Sequence, residues 1–173
     1  MADKAIRIVA SDVDGTLTDG AMYYSSSGET GKVFSVKDGV AVRLLAACGI
    51  ETVLISSDDS PVIKGRAERL GISRCYSGIS DKVGVIDALC AESDIGLDEI
   101  AYLGDDLQDY EVMRRVGLPS AVGDAHPLVK DIATYVCVLP GGKGAFREFS
   151  EWIIERSGQT VEQVWKSLVA KGK

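Results

Sequence analysis

The sequence has little of what marks a zinc protein, a redox protein, a nucleic-acid binder or a membrane span. It contains one histidine, His126, so no histidine cluster exists to hold zinc, and that residue reads as ordering the loop into the helix that follows. The four cysteines, Cys48, Cys75, Cys90 and Cys137, form no C-x-x-C pair and fall within apolar patterns, as buried free thiols of a reducing cytosol do. Lysine and arginine total 19 against 26 aspartates and glutamates, a net charge of -7, which is the wrong sign for a general binder of nucleic acid or anionic membrane. No segment approaches the roughly 20 apolar residues of a membrane span. The first residues also lack the basic-then-apolar layout of a secretory signal, because Asp12 and Asp14 interrupt the first apolar run. The reading is a cytoplasmic protein, with no nucleic-acid or membrane partner, that meets any anionic substrate at a local positive site.

What is there suits one compact domain over residues 1–173, since 46% of the residues are hydrophobic and no repeat, low-complexity tract or long linker divides the chain. Ile6 to Ala10 is a short, largely apolar run that stops abruptly at the polar stretch Ser11 to Asp19, as a buried strand opening into a loop does. Ala21 to Tyr24 and Lys32 to Val36 are strand-like runs around the Ser- and Gly-rich turn Ser25 to Gly31, a predicted hairpin. Beyond it, helical and strand patterns alternate. The predicted helices are Asp38 to Ala47, Pro61 to Leu70, Lys82 to Ala91, Gln108 to Val116 and Pro127 to Ala133. The predicted strands are Thr52 to Ile55, Ile100 to Leu103, Ala121 to Val122 and Tyr135 to Val138. Gly49, Gly71 and Gly117 each follow a helix, where a left-handed residue is expected, and Ser60 before Pro61 reads as an N-cap with a first-turn proline. Two further helices, Ala145 to Arg156 and Val161 to Ala170, form the tail. Alternation of this kind predicts an α/β fold, a doubly wound parallel sheet covered by helices on both faces.

The candidate chemistry sits where strands end. Asp12-Val13-Asp14-Gly15-Thr16 follows the first strand, at the carboxyl edge where parallel sheets bind ligands. A spacing of two lets one carboxylate act as nucleophile and its neighbour as proton shuttle, with Gly15 allowing a tight turn; alone, D-x-D-G is also an ordinary loop. Gly104-Asp105-Asp106-Leu107-Gln108-Asp109 follows another apolar strand. Carboxylates from two strand ends can converge on one hard cation such as magnesium, or the second group can be a solvated turn that caps a helix. Lys82, opening a helix after Ser80 and Asp81, can neutralise a phosphoryl oxygen while pairing with a carboxylate, or be a surface lysine. Ser56, after Thr52 to Ile55, can offer a hydroxyl to the same group or simply form a turn.

Asp pair, Ser, Lys and Asp cluster, in that order at successive strand ends, resemble the signature of the haloacid dehalogenase superfamily. The segments Asp12 to Gly20, Lys37-Asp38-Gly39, Ser80-Asp81-Lys82, Gly104-Asp105-Asp106, Asp124-Ala125-His126-Pro127 and Pro140 to Ala145 resemble its 3-deoxy-D-manno-octulosonate 8-phosphate phosphatase branch over residues 5 to 155. The resemblance implies a Rossmann-like haloacid dehalogenase fold and a magnesium-dependent sugar-acid phosphatase of lipopolysaccharide biosynthesis. It implies that Asp12 attacks phosphorus. Asp14 would protonate the departing sugar oxygen and then activate water against the aspartyl phosphate. Mg2+ would be held by the side chains of Asp12 and Asp105 and the backbone carbonyl of Asp14, with Ser56 and Lys82 on the phosphoryl group. Asp106 and Asp109 would have supporting roles. The chain has no room for a separate cap domain. In the resembled family a homotetramer brings one subunit's hairpin beside another's site, so the flap at residues 21–36 is expected to do so here, while residues 157–173 form a helical tail.

One stretch departs from that pattern. After the hydroxyl of the second motif the octulosonate enzymes continue with Gly and Arg, the arginine facing the sugar acid's carboxylate; here Ser57 and Asp58 stand instead. An aspartate cannot form the bidentate pair that arginine makes with a carboxylate. Arg66 and Arg69, three apart on one helical face, are the candidate replacements. With Asp58 they resemble the nonulosonate 9-phosphate phosphatases, the alternative reading for the substrate. A rival of another class is a receiver-like or idle phosphatase-like interaction module. Receivers, however, put their acidic pair and their phosphorylated aspartate on different strand ends, whereas Asp12 and Asp14 share a loop. The Gly141, Gly142, Gly144 loop reads as a flexible turn, and the apolar stripe of the last helix, with Trp165 and Leu168, as a packing or subunit contact.

Overall fold

The computed structural model describes residues 5–171. Its elements are β1 (Ile8–Ser11), β2 (Tyr23–Ser25), β3 (Gly28–Gly31), α1 (Val36–Ala47), β4 (Glu51–Ile55), α2 (Pro61–Leu70), β5 (Arg74–Tyr76), α3 (Lys82–Ser93), β6 (Ile100–Gly104), α4 (Tyr110–Met113), β7 (Leu118–Ala121), α5 (Pro127–Asp131), β8 (Tyr135–Val136), α6 (Ala145–Arg156) and α7 (Val161–Lys171). Single 3-10 turns precede β6 and α4.

Six strands form one parallel sheet in the order β5-β4-β1-β6-β7-β8. From β1 the chain first moves one way, to β4 and β5, then returns to β6 and continues the other way. The strand order therefore reverses at β1, and a crevice opens outside the carboxyl ends of β1 and its neighbours. Register decides what meets there. Ser11 lies opposite both Leu54 and Leu103, so the residues just beyond them, Asp12, Ser56 and Asp105, leave the sheet at one level. The central strands are apolar throughout because both faces are covered: Val9, Ala10, Val53, Ile55, Ile100, Ala101, Tyr102 and Leu103 are buried. Helix α1 packs against β4, α6 and α7, while α4 packs against α3, α5, β6 and β7. Each buried Leu or Ile side chain contributes roughly 1.5–3 kcal/mol relative to exposure, which keeps these strand ends rigid.

The predicted α/β class holds, and four local expectations need correction. The hairpin's second strand is Gly28–Gly31, not Lys32 to Val36. Gly28 takes φ +109°, and Ser27 N–H donates to Ser25 Oγ at 3.2 Å, so the chain reverses at a two-residue tip. Ser35 then accepts from Lys37 N–H and starts α1 at Val36, ending any strand. The edge strand β5 was not expected because three half-buried residues carry no period. The predicted helix Gln108 to Val116 is shortened to Tyr110–Met113, because Asp106 caps a 3-10 turn over Leu107–Asp109. Strand β7 covers Leu118–Ala121 and so includes Pro119, a residue that discourages a strand reading but whose carbonyl accepts the Thr134 N–H at 2.7 Å.

The glycine stop signals divide. Gly49 and Gly71 are left-handed, with φ of +75° and +71°. Gly117 is not; a Cβ there would lie 2.6 Å from the Asp98 backbone, so close packing is what excludes a side chain.

Candidate active site

The loop that carries Asp12 and Asp14 is built on Val13, which is buried in the core and whose carbonyl accepts the N–H groups of Thr16, Leu17 and Thr18 at 3.3, 2.9 and 3.0 Å. Asp12 is thereby fixed at the end of β1, its own N–H donating to Leu103 of β6 at 3.0 Å. Gly15 takes φ +89°, and a Cβ on it would lie 2.1 Å from Asp105 Oδ2. This glycine is the cradle against which the carboxylate of the β6 end rests. Thr16 Oγ1 donates to the other oxygen of Asp105 at 3.2 Å.

Lys82 joins the two acidic loops. Asp81 caps α3 by accepting from Gly84 N–H, which turns Lys82 inward. There its ammonium lies 2.5 Å from Asp12 Oδ1 and 2.7 Å from Asp109 Oδ1. Burial opposes the charge on this lysine, but the carboxylates of Asp12 and Asp109 outweigh it and hold the ammonium pKa above the ordinary value. Asp109 is 1% exposed and fully engaged: Oδ1 accepts from Lys82 and from the Tyr102 hydroxyl at 2.7 Å, and Oδ2 accepts the Asp105 N–H at 3.0 Å. Asp109 therefore organises the site from below, a part for which sequence offered only a supporting role.

The acidic groups outnumber the cation. Oxygens of Asp12, Asp105 and Asp109 all lie within 4.8 Å of one another, three carboxylates around one lysine. Burial, then the like charge of Asp109, pushes the Asp12 carboxyl well above the usual carboxylate range, against the pull of Lys82. The same two causes raise Asp105 to about 7. Such a surplus of negative charge among oxygen donors fits a hard divalent cation, which would offset both the burial and the repulsion that raise these values.

Asp14 faces elsewhere. Its Oδ2 accepts from Ser56 Oγ at 3.2 Å and its Oδ1 lies 2.7 Å from the ammonium of Lys32. Its side chain is outside the carboxylate cluster, as a metal contact through the backbone carbonyl alone would require. Ser56 also accepts the Asp58 N–H at 3.1 Å, and Asp58 Oδ2 lies 2.7 Å from Lys32. A cavity of about 210 Å³ opens above these groups, lined among others by Asp12, Asp14, Lys32, Ser56, Asp58, Lys82 and Asp105.

Lys32 was missed in the sequence, where it reads as one more polar residue of a hairpin. The available signal was electrostatic: with Lys82 committed to Asp12, the acidic residues 14 and 58 at neighbouring strand ends call for a second cation. Arg66 and Arg69, by contrast, are not brought to the cavity. Arg66 donates to the Ser35 carbonyl at 2.9 Å and lies over the Phe34 ring, and Arg69 is exposed near the end of α2. Asp106 is exposed at the rim. His126 caps α5, accepting from Leu128 N–H, and its own N–H donates to the Asp105 carbonyl at 2.7 Å. The glycine loop is no flexible turn. A Cβ on Gly141 would lie 1.8 Å from the Gly15 carbonyl oxygen and one on Gly142 2.4 Å from Asp19 N, so this loop clamps the back of the loop after β1.

Residues 69–140 match the family model of haloacid dehalogenase-like hydrolases. The chain is 41% identical over 149 residues to the 3-deoxy-D-manno-octulosonate 8-phosphate phosphatase of Yersinia pestis, covering 86% of this chain and 80% of that one. Among solved structures, a probable YrbI family phosphatase from Pseudomonas syringae superposes with a TM-score of 0.90 at 40% identity, covering 96% of this chain and 94% of the other. The 3-deoxy-D-manno-octulosonate 8-phosphate phosphatase of Moraxella catarrhalis, solved with magnesium, phosphate and KDO, superposes with a TM-score of 0.86 at 34% identity, covering 97% and 94%.

Proposed function

The chain belongs to the haloacid dehalogenase-like hydrolases, in the branch of the 3-deoxy-D-manno-octulosonate 8-phosphate phosphatases, and from that membership we propose that it hydrolyses 3-deoxy-D-manno-octulosonate 8-phosphate with magnesium as cofactor. The observation that carries this reading is the buried Lys82 ammonium held between Asp12 and Asp109, with Asp14 set apart two residues on.

Asp12 is the nucleophile in this reading. Its carboxylate attacks phosphorus while the bond to the sugar oxygen breaks, and Asp14 delivers its proton to that oxygen, so an alcohol leaves rather than an alkoxide. Asp14, now a carboxylate, takes a proton from water, and the hydroxide attacks the aspartyl phosphate, releasing phosphate and restoring both groups. Lys82, with one ammonium hydrogen beyond those given to Asp12 and Asp109, offsets charge on the phosphoryl oxygens, and a fixed donor there acts more strongly on the transition state than on the ground state; the Ser56 hydroxyl, expected on the same group, is given to Asp14 instead. Asp12, Asp105 and the Asp14 carbonyl would hold the magnesium ion, which supplies positive charge against the same oxygens.

One observation favours nonulosonate 9-phosphates as the alternative substrates: Asp58, in the position the octulosonate enzymes give to arginine, is ion-paired inside the cavity; Arg66 and Arg69, the other part of that resemblance, lie outside it and do not support it. Phosphate release measured side by side on the two acids, with glucose 6-phosphate as control, decides between them. The expected order puts 3-deoxy-D-manno-octulosonate 8-phosphate first in kcat/KM, with Asp12→Asn lower by about three orders of magnitude or more. Equal rates on glucose 6-phosphate would defeat the sugar-acid reading, an active Asp12→Asn would defeat the covalent route through Asp12, and no phosphate release from any of the three would favour the idle-module reading.

Residues 1–173 are taken as one catalytic domain in this proposal, acting as a homotetramer in which the hairpin of one subunit lies beside a neighbour's site. The exposure of Met22, Tyr23, Tyr24 and Val33 supports such a contact. Among the described residues no helix is long and apolar enough to cross a membrane.

A further inference from the structure

Lys32 has surroundings unlike those of a hairpin surface lysine. It follows β3 on the return limb of the flap, its side chain is only 2% exposed, and its ammonium lies 2.7 Å from both Asp14 Oδ1 and Asp58 Oδ2. An ammonium removed from water costs several kcal/mol unless opposite charges meet it, and the two carboxylates meet this one. The consequence for Asp14 is that both of its oxygens are gripped, one by Lys32 from the hairpin and one by Ser56 from the end of β4. A carboxylate held at one oxygen still rotates about its last torsion; held at two, from different elements, it keeps one orientation. In this state Asp14 is the carboxylate, the form that takes a proton from water in the second step; the acid of the first step is the same group carrying a proton taken up from water, and either transfer requires a group fixed within hydrogen-bond reach. Asp58 in turn is fixed near Ser56 by its own N–H, which donates to the same hydroxyl.

We propose that Lys32 is a positioning residue for Asp14 and that Asp58 is the anchor that aims Lys32, so that the flap is coupled to proton delivery. The inference rests on the reading of Asp14 as the acid and base. It also gives Asp58 a purpose separate from the sugar acid's carboxylate: where the octulosonate enzymes place arginine, this chain places the counter-charge that steadies a lysine.

The test uses the fact that a sugar alkoxide needs a proton to leave, whereas p-nitrophenolate leaves without one. Single-turnover phosphorylation of the full-length, magnesium-loaded protein is measured with 3-deoxy-D-manno-octulosonate 8-phosphate and with p-nitrophenyl phosphate. For Lys32→Met the rate on the sugar phosphate should fall about 10- to 100-fold, and that loss should exceed the loss on p-nitrophenyl phosphate by about tenfold. Lys32→Arg should restore most of the rate, and Asp58→Asn should show a smaller loss with the same leaving-group dependence. Equal losses on the two substrates, no loss on either, or a loss confined to KM would overturn the positioning role. If Lys32→Met does not fold, Asp58→Asn carries the same comparison alone. Asp14→Asn is the control: if its loss is independent of the leaving group, the acid reading fails first and the role of Lys32 falls with it, whereas leaving-group dependence in Asp14→Asn but not in the Lys32 or Asp58 variants overturns only the latter.

Discussion

Asp38 illustrates how a single buried carboxyl sets a pH dependence. It stands in the first turn of α1, 2% exposed, with Oδ1 accepting the Arg147 N–H at 3.2 Å and Oδ2 without a protein partner. Burial outweighs that hydrogen bond and the nearby Arg66 and raises its pKa to about 6, against about 4 in an unfolded chain. The folded state therefore holds the proton more tightly. Its favourable contribution is complete below about pH 4, declines as pH rises to about 6, and is absent above, at up to ~1.4 kcal/mol per pH unit. Asp38→Asn keeps the acceptor and cannot ionise, so it should match the parent near pH 4 and exceed it by an order of 1–3 kcal/mol near pH 7 in urea unfolding. A parallel offset at both pH values would mean that Asp38 titrates normally. Nothing in the local sequence announced this site. Lys37-Asp38-Gly39 reads as a polar helix start, and the burial comes from α6 folding over it. Asp12, Asp14, Lys82 and Asp105 were legible for the opposite reason, since each follows or opens an element whose pattern is strong and local.

At the scale of elements, strands with continuous apolar runs and the helix capped by Ser60 were readable in advance, because their signals lie within a few residues. The hairpin was readable only as a hairpin. Its strands are short and polar, so register came from the Gly28 turn and from the Ser35 cap, not from a period. The flap is also the element whose surface is least explained by the chain itself. Tyr24 is 66% exposed and Met22 57%, and apolar groups clustered on a projecting ribbon suit a contact between subunits. Light scattering should give the mass of four chains, and Tyr24→Glu should lower it. In a lone chain that substitution touches only solvent and should cost less than about 0.5 kcal/mol. A wild-type mass of one chain, or a tetramer indifferent to Tyr24→Glu, would remove the flap from the assembly.

For the whole molecule, alternation of helix and strand implied a parallel sheet, but not the order of its strands; that order depends on which crossovers fold to which face. The reversal at β1 brings loops separated by some ninety residues of sequence together, as in the Thr16 contact to Asp105. The result is a protein of net charge -7 that gathers three carboxylates, two of them buried, at one point. Such a fold carries internal repulsion that a cation removes, so magnesium should act on global stability as well as on rate. A ligand at about 100 times its Kd that binds only the folded state adds ~2.7 kcal/mol, which for a chain of this size raises Tm by about 5–10 °C. Asp105→Asn separates the two effects by their opposite signs. Without magnesium the variant loses a crowded buried charge and should melt at or above the parent; with magnesium it loses a ligand and should melt below it. Calorimetry in chelator and in magnesium reads both. Curves that keep the same order in the two buffers would mean that Asp105 does not hold the ion, and the convergence of β1 and β6 would then need another purpose.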